Sequence, residues 1–176
     1  MIRVVVLDAH PATRTGLEAI LRAAPGIVPV GAAEDRRALK PLLYRTDPDV
    51  VVLDDLRAAV DVRARVVVHA TGVDVVRARF AGASALVDKA APEHDLLAAI
   101  RGERPLPRIT PHAQCRAAER LGVKDRAILA MRLAGTADRD IASVVGLSRE
   151  ALAGRCAAIL AGSVGTLDRP RELHAG

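Results

Sequence analysis

Short aliphatic, β-branched runs alternate with segments of helical periodicity along the first hundred residues of this 176-residue chain. Such runs, separated by helical segments, predict parallel strands covered on both faces of the sheet. The predicted strands are Ile2–Leu7, Ile27–Gly31, Val50–Leu53, Val66–Ala70 and Ser84–Val87. The sequence therefore predicts an α/β domain with a doubly wound, five-stranded parallel sheet.

Helices are predicted in the intervals between these strands. Pro11 opens the first helix and Pro25-Gly26 ends it, which is the usual placement of the two residue types. Further helices are predicted over Asp35–Tyr44, over Asp74–Ala81 and from Pro92 onwards. Only residues 55–65 separate the third strand from the fourth, which is near the minimum for a crossover between parallel strands. The third helix is therefore predicted to be lost or shortened to a turn.

Three polar residues stand directly after predicted strands. Asp8 follows the first strand, Asp54 follows the third and Lys89 follows the fifth. Functional groups of a doubly wound sheet collect at the carboxyl ends of its strands. We expect these two carboxylates and the ammonium group to meet in one pocket.

The chain changes character after Arg101, where three prolines interrupt residues 101–112. We predict domains at 1–103 and 121–176 with a linker and a short helix over 104–120. The helices predicted in this part are Pro111–Leu121, Lys124–Ala134, Asp138–Val145 and Arg149–Leu160. Gly135 and Gly146 end two of them and Ser148 is a good N-cap for the last. Two short helices joined by a tight glycine turn indicate a helix-turn-helix domain of the all-α class.

Charge and composition narrow the classes of partner. Residues 1–104 carry 15 lysines and arginines against 14 acidic residues, and residues 105–176 carry 11 against 7. A basic helical segment suggests contact with a polyanion. With Tyr44 and Phe80 as the only aromatic residues, base stacking on single-stranded nucleic acid is disfavoured. Cys115 and Cys156 stand apart, and no secretory signal or membrane span is recognisable, so we expect a cytoplasmic protein with reduced thiols and no membrane partner.

Three stretches resemble the receiver domain of NarL/FixJ-type response regulators: LDAHPATRTGLEAIL (7–21), DPDVVVLDD (47–55) and GASALVDKAAPEHDLLAAIR (82–101). In that family an acidic pair holds Mg²⁺, an aspartate accepts a phosphoryl group, and a hydroxyl and a lysine contact its oxygens. The resemblance implies that Asp54 is at the acceptor position and Lys89 at the lysine position. Asp55 is the less suitable acceptor because it lies one residue beyond the strand.

The chain departs from this pattern at several positions of the pocket. Asp8-Ala9 replaces the acidic pair, so one carboxylate that Mg²⁺ would need is missing. Ala70 is at the hydroxyl position, which only a one-residue shift would let Thr71 fill, and Leu86 is at the aromatic readout position. We therefore expect no metal, and a pocket of Asp8, Asp54 and Lys89 that is degenerate and is not switched by aspartyl phosphorylation.

The segment GVKDRAILAMRLAGTADRDIASVVGLSREALAGRCAAIL (122–160) resembles the LuxR-type helix-turn-helix domain. The resemblance implies that the helix Arg149–Leu160 enters the major groove of DNA. Its outward face offers mostly alanine and glycine, so readout of bases by bidentate side chains is hard to build. The residues predicted to contact DNA are Lys124, Arg126, Arg139, Ser148, Arg149, Glu150, Ala153 and Arg155.

These features leave three functions open. The leading hypothesis is a transcription regulator that binds double-stranded DNA without phosphorylation, as a homodimer formed through the fourth and fifth helices of the receiver-like domain. The alternatives are a scaffold or sensor of a small-molecule or protein effector that has lost DNA binding, and a regulator phosphorylated on Asp54. An enzyme is not expected and no cofactor is implied, because the five histidines lack metal-ligand spacing and no nucleophile motif is present.

Pro170 leaves little room for a further dimerisation helix in the tail.

Overall fold

A computed structural model describes residues 1–60 and 62–163 of the chain. One sheet of five parallel strands has the order β2-β1-β3-β4-β5. The strands are β1 (Ile2–Leu7), β2 (Ile27–Ala33), β3 (Val50–Leu53), β4 (Arg65–His69) and β5 (Ala85–Val87). All of the β3 side chains are buried, as a strand covered on both faces requires. The predicted parallel, doubly wound sheet is confirmed.

Helices cover both faces of this sheet. They are α1 (Pro11–Ala23), α2 (Arg36–Thr46), α3 (Leu56–Ala59), α4 (Val75–Phe80) and α5 (Glu93–Arg101). Leu21 of α1 and Ile100 of α5 share one apolar core with the side chains on one face of the sheet. Leu39 of α2, Leu56 of α3 and Phe80 of α4 belong to the core of the opposite face.

The strand β2 and the helix α2 extend beyond their predicted bounds. β2 continues past Gly31 to Ala33, and it is an edge strand, where the missing N–H of Pro29 is tolerated. α2 runs through Pro41 to Thr46. Its start is fixed by Asp35, whose carboxylate accepts a hydrogen bond from the Ala38 N–H at 2.7 Å.

The described residues of the crossover between β3 and β4 contain a single helical turn, as the short interval predicts. α3 has four residues, and the Asp55 carboxylate caps it by accepting from the Arg57 N–H at 2.9 Å. Leu56, Ala58 and Ala59 are buried in this turn although it is too short to cover the sheet by itself. Another part of the chain must complete the burial.

Up to residue 163, four helices follow the sheet: α6 (Pro111–Ala118), α7 (Val123–Leu133), α8 (Asp138–Val145) and α9 (Arg149–Ser163). Gly146 adopts φ +66° in the turn between α8 and α9, a left-handed conformation that favours glycine. Ser148 caps α9, since its Oγ accepts from the Ala151 N–H at 3.0 Å. α9 extends three residues beyond its predicted end at Leu160, whereas Pro170 lies outside the described residues.

The C-terminal helices pack directly on the face of the sheet that contains α3 and α4. The end of α9 lies against α3, and α7 lies against α4. Ile128 of α7 and Leu160 of α9 belong to the same buried cluster as Ala59 and Phe80. The guanidinium carbon of Arg132 lies 5.6 Å from the centroid of the Phe80 ring, within the range of a cation–π contact. One apolar core is therefore shared by the sheet and the C-terminal helices.

The segment between α5 and α6 is also attached to the sheet. The Leu106 N–H donates to the Ser84 carbonyl at 3.0 Å. Arg79 donates to the Pro107 carbonyl at 2.9 Å. Within residues 1–60 and 62–163, no helix is both long and apolar enough to cross a membrane.

Candidate functional site

Asp8, Asp54 and Lys89 converge at the carboxyl edge of the sheet. The Lys89 Nζ lies 2.5 Å from Asp8 Oδ2 and 3.3 Å from Asp54 Oδ2. The Asp8 side chain is 1% exposed, whereas those of Asp54 and Lys89 are 20% and 25% exposed. The three strand-end residues singled out in the sequence thus form one ion-paired cluster.

Asp8 is held as a carboxylate. Burial by itself would raise the pKa of Asp8, but hydrogen bonds from Lys89 and from the His10 N–H, with the charge of Lys89, lower this pKa below its ordinary value. Burial acts to lower the pKa of Lys89, and the hydrogen bond to Asp8 and the charge of Asp54 outweigh it, so the net shift is upward. The pair is therefore ionised at neutral pH.

The two neighbouring aspartates after β3 have different environments. Asp55 caps α3, and its carboxylate also pairs with the Arg57 guanidinium at 3.0 Å. Asp54 instead faces Lys89 across the strand ends. Of the two, Asp54 is the carboxylate that belongs to the ion-paired cluster with Asp8 and Lys89.

The residues at the end of β4 differ from those that the resemblance implies at this side of the pocket. Ala70 is buried, while Thr71 is exposed at the bend that precedes Gly72. His69 is 8% exposed, and its Nδ1 has no hydrogen-bond partner among the described residues. Burial, together with the charge of Lys89, lowers the pKa of His69. A neutral imidazole thus stands beside the position where the resemblance would require a hydroxyl group.

The donor atoms of the pocket do not fit Mg²⁺. Mg²⁺ favours near-octahedral oxygen ligands and usually takes one or two carboxylates. Here Ala9 has no side-chain oxygen, and Lys89 already contacts one oxygen of Asp8 and one of Asp54. Ala9 instead lines an open cleft of about 560 Å³ beside Asp54. A nitrogen donor, His10 Nδ1, lies 3.2 Å from Asp8 Oδ1.

A second candidate site is the outward face of α9. Arg149, Glu150, Ala151, Gly154, Arg155 and Ala158 are exposed along it. Leu152 and Cys156 on the opposite face are buried. Ala153 is half-buried and packs against the apolar core, so only part of its methyl group is accessible. The exposed face consequently carries mostly small side chains, with charged residues at Arg149, Glu150 and Arg155.

The basic residues around this face are engaged to different degrees. Arg155 forms two hydrogen bonds with Asp125, at 2.6 and 2.9 Å, and the Arg126 guanidinium donates to the Leu121 carbonyl at 2.7 Å. Arg139 pairs with the adjacent Asp140 at 3.4 Å. Lys124 and Arg149 are exposed and have no hydrogen-bonded or ionic partner within the part of the chain that the structure describes.

His10 was not among the site residues predicted from the sequence. The signal was present, because an aspartate at a strand end followed two residues later by histidine places the histidine where the first helix begins. His10 is the N-cap of α1, and its backbone and ring both reach Asp8 Oδ1. No sequence pattern indicated the unpartnered nitrogen of His69, because His69 follows three valines, and this pattern predicts only the end of a buried strand.

Comparison with known proteins places the fold among response regulators. No protein-family model matches the sequence. The chain is 50% identical over 54 residues to protein-glutamate methylesterase/protein-glutamine glutaminase 2 of Burkholderia thailandensis, and the match covers 31% of this chain and 15% of that protein. The chain therefore spans a small fraction of this curated relative.

Solved structures of response regulators are similar to a larger part of the chain. The crystal structure of a two-component response regulator of the LuxR family from Aurantimonas sp. is 26% identical, with a TM-score of 0.56, over 68% of this chain and 96% of that chain. RcsB of Salmonella enterica serovar Typhimurium, bound to promoter P1flhDC, is 19% identical with a TM-score of 0.54 over 92% of each chain. At that identity the likeness concerns the fold alone. The five-stranded sheet with its helices therefore has the receiver fold, and the structural neighbours of this chain are response regulators.

Proposed function

We propose that this protein is a DNA-binding transcription regulator that acts without aspartyl phosphorylation. The observation that carries the proposal is the placement of α9. Ile159 and Leu160 in its last turns are buried, while its outward face from Arg149 to Ala158 remains exposed. A helix-turn-helix domain formed by α8 and α9 would therefore present its recognition helix without first leaving the receiver-like domain.

The residues at the acceptor position support a regulator that does not require aspartyl phosphorylation. Phosphoryl transfer to an aspartate needs positive charge that offsets the crowding of several anions. Lys89 is already shared by two carboxylates, Ala9 removes an oxygen ligand, and Ala70 offers no hydroxyl group. The ion-paired cluster fits a structural role better than an acceptor role.

The charges near α9 favour contacts with the DNA backbone. Lys124 and Arg149 are exposed and unpaired among the described residues, which makes them the best candidates for phosphate contacts. Ala151, Gly154 and Ala158 between the charged flanks allow close approach but donate no side-chain hydrogen bonds. We therefore expect strong dependence on salt and modest discrimination between sequences.

A homodimer would place two such helices on one duplex. α4 already contacts α6 and α7, so its surface is partly used within the chain. Of the two helices proposed for dimerisation, α5 makes its main contacts with the strands β4 and β5 and not with the C-terminal helices. We accordingly place the proposed dimer contact on α5.

The test is binding of the untreated protein to fragments of genomic DNA at two salt concentrations. The double variant Lys124→Ala/Arg149→Ala should bind more weakly on all fragments. Its plot of log affinity against log salt should be flatter by about 1.8, since each phosphate contact contributes roughly 0.9. Arg37→Ala/Arg45→Ala is the matched control, because it removes the same two charges from exposed positions of α2.

Equal losses in Lys124→Ala/Arg149→Ala and in Arg37→Ala/Arg45→Ala would show that the binding is not localised at α9. Absence of DNA binding at low salt would favour the second candidate, a scaffold or sensor. The small side chains on the exposed face of α9 are the observation that favours this candidate, because they suit a protein surface as well as a groove. Labelling of Asp54 by a phosphodonor, lost in Asp54→Asn, would instead support a phosphorylated regulator.

A further inference from the structure

We propose that the groove between α2 and α3 is a docking site for an acidic, amphipathic helix of a partner protein. The groove has a volume of about 340 Å³. Its apolar lining consists of two leucines of α2 and two residues of the crossover to β4: Leu39, Leu43, Ala58 and Val62. The inference concerns the receiver-like domain and does not depend on DNA binding.

The short crossover accounts for the groove. A crossover between parallel strands usually contains an α-helix that covers the sheet, whereas α3 has four residues. The end of α9 lies against α3, but none of its described residues lines the groove. Leu43 and Val62 pack against the apolar core and are only half-buried. A helix placed in the groove would therefore remove apolar surface from water.

The rim of the groove is basic. Arg36, Arg37 and Lys40 line it together with the two leucines of α2. Their side chains are exposed and have no hydrogen-bonded or ionic partner among the described residues. No acidic residue occurs within α2, so no side chain of this helix neutralises them. Acidic side chains on a partner would complement this rim, and such complementarity selects one partner over others.

Tyr44 extends the same surface. It lies one helical turn after Lys40, and residues four apart are neighbours on a helix. Tyr44 is 93% exposed, whereas Phe80, the other aromatic residue of the chain, is buried. Tyrosine is enriched at protein interfaces, where it often provides much of the binding energy. An exposed tyrosine beside unpaired cations and an apolar groove is typical of a protein interface.

The apolar lining favours a protein over a nucleic acid. DNA would contact the cations through its phosphates and would leave Leu43 and Val62 uncovered. An amphipathic helix instead lays its apolar side chains in a groove while its polar face stays at the rim. The groove and the cations are used together only by an amphipathic partner, and the charge of the rim requires that partner to be acidic.

The test is binding of a fluorescent synthetic peptide to the full chain, measured by anisotropy. The peptide has about 16 residues, enough to form a helix, with leucines on one face and glutamates on the other. We expect saturable binding of one peptide per chain. Replacing its leucines by glutamines keeps the charge and the helix propensity and should abolish binding. Equal binding of both peptides, or no binding of the leucine–glutamate peptide, would overturn the proposal.

Charge reversal on α2 localises the contact. Arg36→Glu/Lys40→Glu should weaken binding of the leucine–glutamate peptide by roughly tenfold or more, because like charges then face each other. Both side chains are exposed, so the variant should fold. Arg116→Glu/Arg120→Glu is the matched control, because it reverses two charges at exposed positions in and directly after α6.

Two outcomes of these variants would refute the assignment. Equal losses of peptide binding in Arg36→Glu/Lys40→Glu and in the control would mean that the peptide does not bind at the groove. Loss of duplex DNA binding in Arg36→Glu/Lys40→Glu, with peptide binding unchanged, would assign the basic rim to nucleic acid instead of a protein helix.

Discussion

His69 ends β4 with an imidazole that is 8% exposed. Burial and the charge of Lys89 hold its pKa below the ordinary 6.5, against the opposing charges of Asp8, Asp54 and Asp88. The unfolded chain therefore binds more protons than the folded chain just below pH 6.5, and stability should fall as pH decreases through that range. Chemical denaturation at several pH values between about 7 and 5 measures the effect.

His69→Phe provides the comparison, because phenylalanine fills the buried space without titrating. In this variant the loss of stability between neutral pH and pH about 5.5 should be smaller than in the native chain. An identical pH dependence in both proteins would assign the proton uptake to another group.

The two cysteines differ in accessibility. Cys115 is exposed on α6, whereas Cys156 of α9 is buried in the core, and burial raises the pKa of its thiol. Because the thiolate is the reactive form, Cys156 should be inert towards a thiol reagent at neutral pH. We expect one fast-reacting thiol per native chain and two after denaturation. Fast modification of Cys156 by the thiol reagent, detected by mass spectrometry, would contradict the packing of α9 on the core.

At the scale of elements, α9 is tied to α7 by the Arg155–Asp125 pair. Asp125→Asn removes the negative partner and should release the Arg155 guanidinium for a phosphate contact. We expect tighter DNA binding and a salt dependence steeper by about 0.9 in log–log slope. Glu119→Gln is the matched control, because it removes one charge at an exposed position of the same segment. A steeper slope in both variants alike would indicate a general charge effect.

The sequence was sufficient to predict most elements and part of the site. Runs such as Val50–Leu53 mark strands because each residue is buried, and glycines such as Gly146 mark helix ends because of their positive φ. The brevity of α3 followed from the number of residues between two strands. The contact of Leu160 with the α3 region could not be predicted, because residues so far apart in sequence leave no periodic pattern. His10 was missed because its neighbour Asp8 was interpreted alone.

At the scale of the whole molecule, the shared core predicts one cooperative unit. Ala59 and Phe80 of the sheet domain are buried in the same cluster as Ile128 and Leu160 of the C-terminal helices. Calorimetry should therefore show a single thermal transition for the chain. Leu160→Ala should lower the free energy of unfolding by about 2–5 kcal/mol.

Hydrogen exchange distinguishes this view from two independent domains. In Leu160→Ala, amide protection should decrease in β3 and β4 as well as in α9. Val144→Ala is the control, because Val144 is 73% exposed on α8 and its truncation should change little. Reduced protection confined to α6–α9 would show that the two parts unfold separately.

The single turn of α3 restricts how this protein can exchange parts with its relatives. A crossover helix of ordinary length would occupy the surface on which the end of α9 rests. The sheet with its short crossover and the helical segment are therefore a matched pair. Recombination that transfers one of these parts without the other would leave Leu160 without its apolar partners. Chimaeras with other receivers should therefore be unstable, and selection should keep the two parts together.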